Sequence, residues 1–215
     1  MNEITVTYLP GIFDVANQDA AKRIILTADG ASTEHRWLTE APYLTDLVTS
    51  AIPLTGASLL LDYGCGIGRM AKALIERTGC KVIGADISPS MRALAVGYVD
   101  SPNFLACAPE MLDALVARGL ACDAAISVWV LQHCPRLADD IVRIARTLKP
   151  GGDLFVVNQR VRAVPTVEHG WLDDGLDVLG LLRSTFEVRS EGPLAAAHTT
   201  DVIARIASWA AFRRL

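Results

Sequence analysis

From Ala57 onward, short apolar runs alternate with amphipathic stretches, and this alternation restricts the chain to a small set of folds. Residues 58–63 (SLLLDY) read as a buried strand, 69–77 as a helix, 81–86 (KVIGAD) as a second strand and 90–98 as a helix. A third strand at 103–107, a helix at 111–118 and a fourth strand at 123–129 follow. Leu137, Ile141, Ile144, Ala145 and Leu148 then share one helix face, Lys149-Pro150-Gly151-Gly152 stops that helix, and 153–158 is a fifth strand. Strands apolar along their whole length, each followed by a helix, form a parallel sheet covered on both faces, with right-handed crossovers.

The flanks break the pattern. Residues 14–27 and 34–52 read as helices, the second with Trp37, Ala41, Leu44, Leu47, Val48 and Ala51 at three- and four-residue steps. Ser32 or Thr33 caps it, Glu34 suits its first turn and Pro53 ends it. In the tail, 171–183 reads as a helix, and 186–191 and 202–212 as two strands that pair antiparallel. The expected fold is a Rossmann-like, doubly wound α/β domain: a mostly parallel seven-stranded sheet closed by a C-terminal antiparallel hairpin. Residues 1–55 are expected to form a helical lid within the same domain, and 56–215 its body.

Composition narrows the class. With 215 residues, 51% of them hydrophobic, the chain is long enough for one well-buried core. A net charge of −4 and a pI near 5.5 weigh against a nucleic-acid platform. The five cysteines form no CxxC pair and no zinc spacing, which suits a reducing compartment. The first residues lack the basic start and apolar core of a leader, and no apolar run reaches the ~20 residues of a membrane span. A cytoplasmic monomer or homodimer that associates with no membrane is expected.

The strongest local signal is LLLDYGCGIGRM at 59–70. Gly64 allows a tight turn off the strand, Gly66 lets backbone approach a ligand, and Gly68 lets the next helix pack closely. That helix start favours an anionic group. Asp86 closes the second strand eighteen residues after Gly68, where a carboxylate accepts the hydroxyls of a ribose. These features describe a nucleoside-binding half-fold without naming the nucleoside.

The glycine spacing is GxGxG, preceded by Asp62. With GADISPSM (84–91), CDAAISVWVLQHC (122–134) and LKPGGDLFVVN (148–158), the region from Leu54 to Asn158 resembles the class I S-adenosylmethionine-dependent methyltransferases. The resemblance implies S-adenosyl-L-methionine as cofactor, with Gly64, Cys65, Gly66 and Gly68 under its methionine part and Asp62 orienting the loop and the ammonium. It places the ribose on Asp86, the adenine beside Ile87 and Val128 near the sulfur. Arg36 matches an arginine that reaches the cofactor carboxylate in some relatives. Relatives often carry an Asp and a free N–H after the third strand for the adenine. Here Ala108 and Pro109 stand in that place, without carboxylate or N–H, so recognition passes to water, backbone or Glu110.

Methyl transfer at a sulfonium is largely a matter of alignment in a dry site. His133, just past the fourth strand, is the candidate general base for a hydroxyl acceptor, alongside a purely structural reading. Trp129, Trp37 and Tyr43 are candidates to wall the acceptor site, with helix packing as the other reading of the last two. Trp171 is a candidate for a second lid. Asp139 and Asp140 read as a solvated helix face, and His35, His169 and His198 as surface histidines. The SVWV string departs from the motif of nucleobase amine methylation, and the strand end lacks the acidic metal ligands of catechol-type relatives. The expectation is metal-independent methylation of an oxygen or nitrogen on a small molecule. Two alternatives stand beside it: a non-catalytic cofactor-binding module, and an NAD-dependent oxidoreductase, which the GxGxG spacing and the absence of a Tyr-x-x-x-Lys couple oppose.

Overall fold

A computed structural model describes residues 6–215. The first five residues of the segment read for a leader, and of the 1–55 unit, lie outside the described residues. The alternating region folds as its pattern requires. Strands β1 (Leu59–Tyr63), β2 (Lys81–Ala85), β3 (Phe104–Cys107), β4 (Cys122–Val128) and β5 (Leu148–Gln159) pair in parallel. With β8 (Phe186–Pro193) and β9 (Ala207–Arg214) they form a seven-stranded sheet in the order β3-β2-β1-β4-β5-β9-β8. β9 runs antiparallel to both β5 and β8, so the expected terminal hairpin closes the sheet.

Alternate residues of each strand feed opposite faces. On one face Leu60, Ile126, Phe155 and Val157 pack against α2 (Thr33–Ala51), α3 (Arg69–Thr78) and α4 (Pro89–Val99) through Leu44, Val48, Leu74 and Met91. On the other, Leu61, Ile83, Leu154 and Val156 meet α5 (Pro109–Val116), α6 (Leu137–Thr147) and α7 (Val178–Arg183) through Leu112, Ile141, Ile144 and Leu182. Each such side chain contributes about 1.5–3 kcal/mol on burial. The order reverses direction between β1 and β4, which opens a crevice at their carboxyl ends.

The flanks correct the sequence reading. The first helix is shorter than expected: α1 spans Gln18–Ile25, starting where the Asn17 side chain accepts the Ala20 N–H, and Pro10–Phe13 is a separate 3-10 turn. Residues 171–183 are not one helix. β6 (Val164–Thr166) pairs with β7 (Gly170–Leu172), and helix α7 begins only at Val178. Val202 to Ile206 belong to a helix, α8 (Asp201–Ile206), rather than a strand. The Thr200 hydroxyl caps it by accepting the Ile203 N–H at 3.1 Å, and Asp201 favours its first turn. Those end signals outweigh the β-branched character of VIARI. No helix among the described residues is long and apolar enough to cross a membrane.

Candidate functional site

The crevice is a cavity of about 560 Å³. It is lined by the ends of β1, β2 and β4, the start of α5, and segments from both flanks. Arg36, Asp62, Gly64, Cys65, Gly66, Asp86, Ile87, Pro109, Val128 and His133 all reach its wall; Gly68 and Ala108 do not.

The glycines do different work. Gly64, Gly66 and Gly68 all have positive φ, at 77°, 53° and 81°. A Cβ on Gly64 would lie 2.3 Å from Val130, and one on Gly68 2.3 Å from Val99, so packing demands both. A Cβ on Gly66 would meet Ile25 of α1 at 2.8 Å, which puts the N-terminal helix directly over the loop.

Two carboxylates frame the loop. Asp86 accepts the Gly66 N–H on Oδ2 and the Ser88 N–H on Oδ1, at 2.8 and 2.9 Å. A carboxylate offers about four lone-pair sites, so both oxygens retain capacity for a hydroxyl. Burial raises its pKa, opposed by those two amides. Asp62 is 3% exposed, and its Oδ2 has no hydrogen-bond partner. Burial, then the charge of Asp86, push its pKa up to about 7. An uncompensated buried carboxylate calls for a cation.

At the same end Arg36 is 2% exposed and already engaged. It donates to Glu40 Oε1 at 2.5 Å, to the Thr27 carbonyl at 2.6 Å and to Asp29 at 3.4 Å. Its neighbour Arg69, overlooked in the sequence, is also buried and lies over the Trp37 ring at 5.1 Å, yet its Nε and Nη2 have no hydrogen-bond partner. Burial lowers its pKa to about 10. The available signal was its position, the first helical residue after the glycine loop.

Beyond β4, Trp129 takes φ 64°, a strained value for a non-glycine residue, costing about 1–3 kcal/mol. Its ring lines the cavity. The 3-10 turn Leu131–His133 follows. His133 Nδ1 lies 2.6 Å from the Ala163 carbonyl, which only accepts, so Nδ1 carries the proton. Gln159 N–H donates to Gln132 Oε1 at 3.0 Å, which leaves the Gln132 amide N–H₂ to donate to His133 Nε2 at 3.2 Å. The imidazole is held as one tautomer with its lone pair on Nε2. Burial lowers its pKa, partly opposed by the Ala163 bond and reinforced by Arg162, so the ring is neutral at pH 7. Phe13 and Trp171 stand 6.0 and 5.3 Å from it, centroid to centroid.

Other sequence candidates fall elsewhere. Trp37 donates its indole N–H to Tyr98 and packs in the core, and Tyr43 stacks on His198; neither lines the cavity. Asp140 corrects its reading as a solvated residue, since it accepts from Tyr63 Oη and Arg143 and lines the cavity. Among the described residues no group of three His, Cys, Asp or Glu side chains is arranged to hold a metal ion.

Comparison with known proteins points the same way. The methyltransferase-domain family Methyltransf_11 matches residues 61–156. A ubiquinone biosynthesis O-methyltransferase of Xylella fastidiosa (strain 9a5c) is 33% identical over 117 residues, 54% of this chain and 47% of the relative. Over residues 61–156 the chain matches the methyltransferase domain found in the class I S-adenosylmethionine-dependent methyltransferases. The methyltransferase GfsG of Streptomyces halstedii is 28% identical over 140 residues, 61% of this chain and 46% of the relative. The domain thus spans about half the length of these curated relatives. Two solved structures share its fold. The [4+2]-cyclase SpnF has a TM-score of 0.62 at 19% identity, covering 99% of this chain and 87% of its own. The N-methyltransferase NodS of Bradyrhizobium japonicum WM9, solved with S-adenosylhomocysteine, has 0.61 at 16%, covering 93% of each.

The cofactor of that family is S-adenosylmethionine, and the cavity fits it. The unpartnered Asp62 oxygen suits an ammonium, the two Arg69 nitrogens without a hydrogen bond a carboxylate, and Asp86 a pair of ribose hydroxyls.

Proposed function

We propose that this methyltransferase moves the methyl group of S-adenosylmethionine to an oxygen, or secondarily a nitrogen, of a small-molecule acceptor without a metal ion. Bound S-adenosylmethionine supplies a methyl carbon on a sulfonium, which is a good leaving group. The chain's own residues bind and align. Asp62 and the Gly64–Gly66 backbone take the amino-acid end, with Cys65 and Gly68 setting the loop, and Arg36 or Arg69 meets the carboxylate. Asp86 takes the ribose, Ile87 and Pro109 flank the adenine, Ala108 sets the start of the helix beside it, and Val128 lies near the sulfur. Residues up to about 55 act as a lid: Ile25 roofs the glycine loop, while Tyr8 and Phe13 wall the cavity. Excluding water there strengthens every electrostatic contact.

The observation that carries the oxygen reading is the fixed tautomer of His133. A neutral imidazole with Nδ1–H pinned to a carbonyl, on an aromatic-walled cavity, is equipped to take a hydroxyl proton on Nε2 once the acceptor displaces the Gln132 amide from that lone pair. The O-methyltransferase relatives support the same acceptor atom. Methyl transfer from labelled S-adenosylmethionine to a panel of ortho-diphenols, alcohols and amines tests this. His133→Gln should lower the rate for a hydroxyl acceptor by about 10²-fold and leave S-adenosylhomocysteine affinity unchanged; full activity would return His133 to a structural role.

A second reading has one observation behind it. A [4+2]-cyclase shares the fold across nearly the whole chain, so the cavity can hold the cofactor for a purpose other than transfer. Tight S-adenosylhomocysteine binding with no transfer to any acceptor of the panel would favour it.

A further inference from the structure

The turn that carries His133 has little to hold it. Its own backbone hydrogen bonds are a single pair, His133 N–H to Val130 O at 2.8 Å and Cys134 N–H to Leu131 O at 3.3 Å. A short 3-10 turn leaves its other carbonyls to outside donors. One side chain supplies donors at both ends of the turn. Arg162, on the segment after β5, is fully buried and donates from Nη1 to the Leu131 carbonyl and from Nη2 to the Cys134 carbonyl, each at 2.7 Å. The guanidinium therefore spans the turn from one end to the other.

Its remaining edge faces Asp174, just past β7. Nε and Nη2 donate to the two carboxylate oxygens at 3.0 Å each. Four of the five N–H groups of the fork are thus used, in a planar arrangement that an ammonium cannot copy. The residue beside Arg162 completes the attachment. Ala163 N–H donates to the Gln132 carbonyl at 2.9 Å, and the Ala163 carbonyl receives His133 Nδ1–H. The hairpin that delivers Asp174 also delivers Trp171 against the imidazole.

We infer that Arg162, anchored by Asp174, is a positioning residue that clamps the 131–134 turn and so fixes the orientation and the Nδ1–H tautomer of His133. Its catalytic consequence rests on the reading of His133 as base, whereas the clamp itself is measurable without any acceptor. The nearby Arg162 cation also favours the neutral imidazole, a charge effect that a lysine would retain.

The test is ¹⁵N NMR of the histidine-labelled protein with S-adenosylhomocysteine bound, above the titration of the imidazole, the His133 signals being assigned through His133→Gln. The wild type should show the Nδ1–H pattern, against the Nε2–H preference of free histidine. Arg162→Lys keeps the charge but cannot span both carbonyls. It should bind S-adenosylhomocysteine within about twofold of wild type while His133 shifts toward the Nε2–H pattern. A wild-type pattern in that variant would overturn the clamp. Should Arg162→Lys not fold, Asp174→Asn serves; the same shift at reduced size is expected, and an unchanged pattern would overturn the proposal. Slowed methyl transfer with an unaltered ¹⁵N pattern would overturn it as well. An altered pattern with wild-type transfer would uphold the clamp and refute the base role.

Discussion

The two sides of the cavity are built by different means. The side proposed for the cofactor is made from consecutive strand, loop and helix units, each folding where its own sequence dictates: Asp62 is the penultimate residue of β1, Asp86 follows β2, and the glycines lie between. The side proposed for the acceptor is assembled from segments remote in the chain. Thr7–Leu9 runs along β6 through Leu9 N–H to Pro165 O at 2.9 Å and Val167 N–H to Thr7 O at 3.0 Å. Asp14 and Val15 tie to Ser88 and Ser90, and Arg162 holds the His133 turn. One side is built from consecutive segments, and the other from long-range bonds of backbone and side chain alike.

Glycines on the two sides give the largest contrast. Gly64 and Gly170 both have positive φ, at 77° and 66°, but only a Cβ on Gly64 meets packed atoms, while that on Gly170 faces open space. Gly64→Ala should therefore cost roughly 2–4 kcal/mol, strain plus overpacking, and lower Tm by about 10 °C. Gly170→Ala should cost only the strain, about 1–2 kcal/mol. Thermal melts giving equal losses would break the contrast.

The next effect is on binding. Asp86→Ala should weaken S-adenosylhomocysteine by at least about tenfold, 1.4 kcal/mol, with transfer falling through cofactor affinity rather than through His133. Unchanged affinity by calorimetry would remove the ribose assignment.

Asp62 gives a smaller and more diagnostic signal, because two measurements move in opposite senses. Its folded pKa of about 7 lies above the ordinary 3.8. The folded state thus holds the proton longer, and the associated stability, present below about pH 4, is lost as pH rises through 7. Asp62→Asn, without cofactor, should melt higher than wild type at pH 8, with the gap closing toward about pH 4. The same variant should bind S-adenosylhomocysteine more weakly at pH 8, having lost the charge that meets the ammonium. Affinity and stability falling together would contradict this.

What the sequence disclosed follows the same division. The five parallel strands, the glycine loop and both carboxylates were legible because their signals lie within a few residues of one another. The Thr200-Asp201 start of α8 was present in the sequence, but β-branched residues after it favoured a strand reading. The β6–β7 pair was hidden because three-residue strands carry too little alternation to detect. Arg162, Gln132 and Tyr8 could not be found from local pattern at all, since their partners lie 31, 27 and 158 residues away (Leu131, Gln159 and Thr166). Asp140 looked solvated until Tyr63, 77 residues upstream, was seen to reach it.

The central claim is that a nucleoside lies at the Asp86 edge, its amino-acid end rests on the Gly64–Gly66 backbone beside Asp62, and its sulfur faces the His133 wall. A crystal structure with S-adenosylhomocysteine tests it directly. Both ribose hydroxyls should donate to Asp86, the ammonium should lie against Asp62, and open space should separate the sulfur from His133 Nε2. A nucleoside bound away from Asp86, or a sulfur turned toward a side of the cavity without His133, would contradict the account.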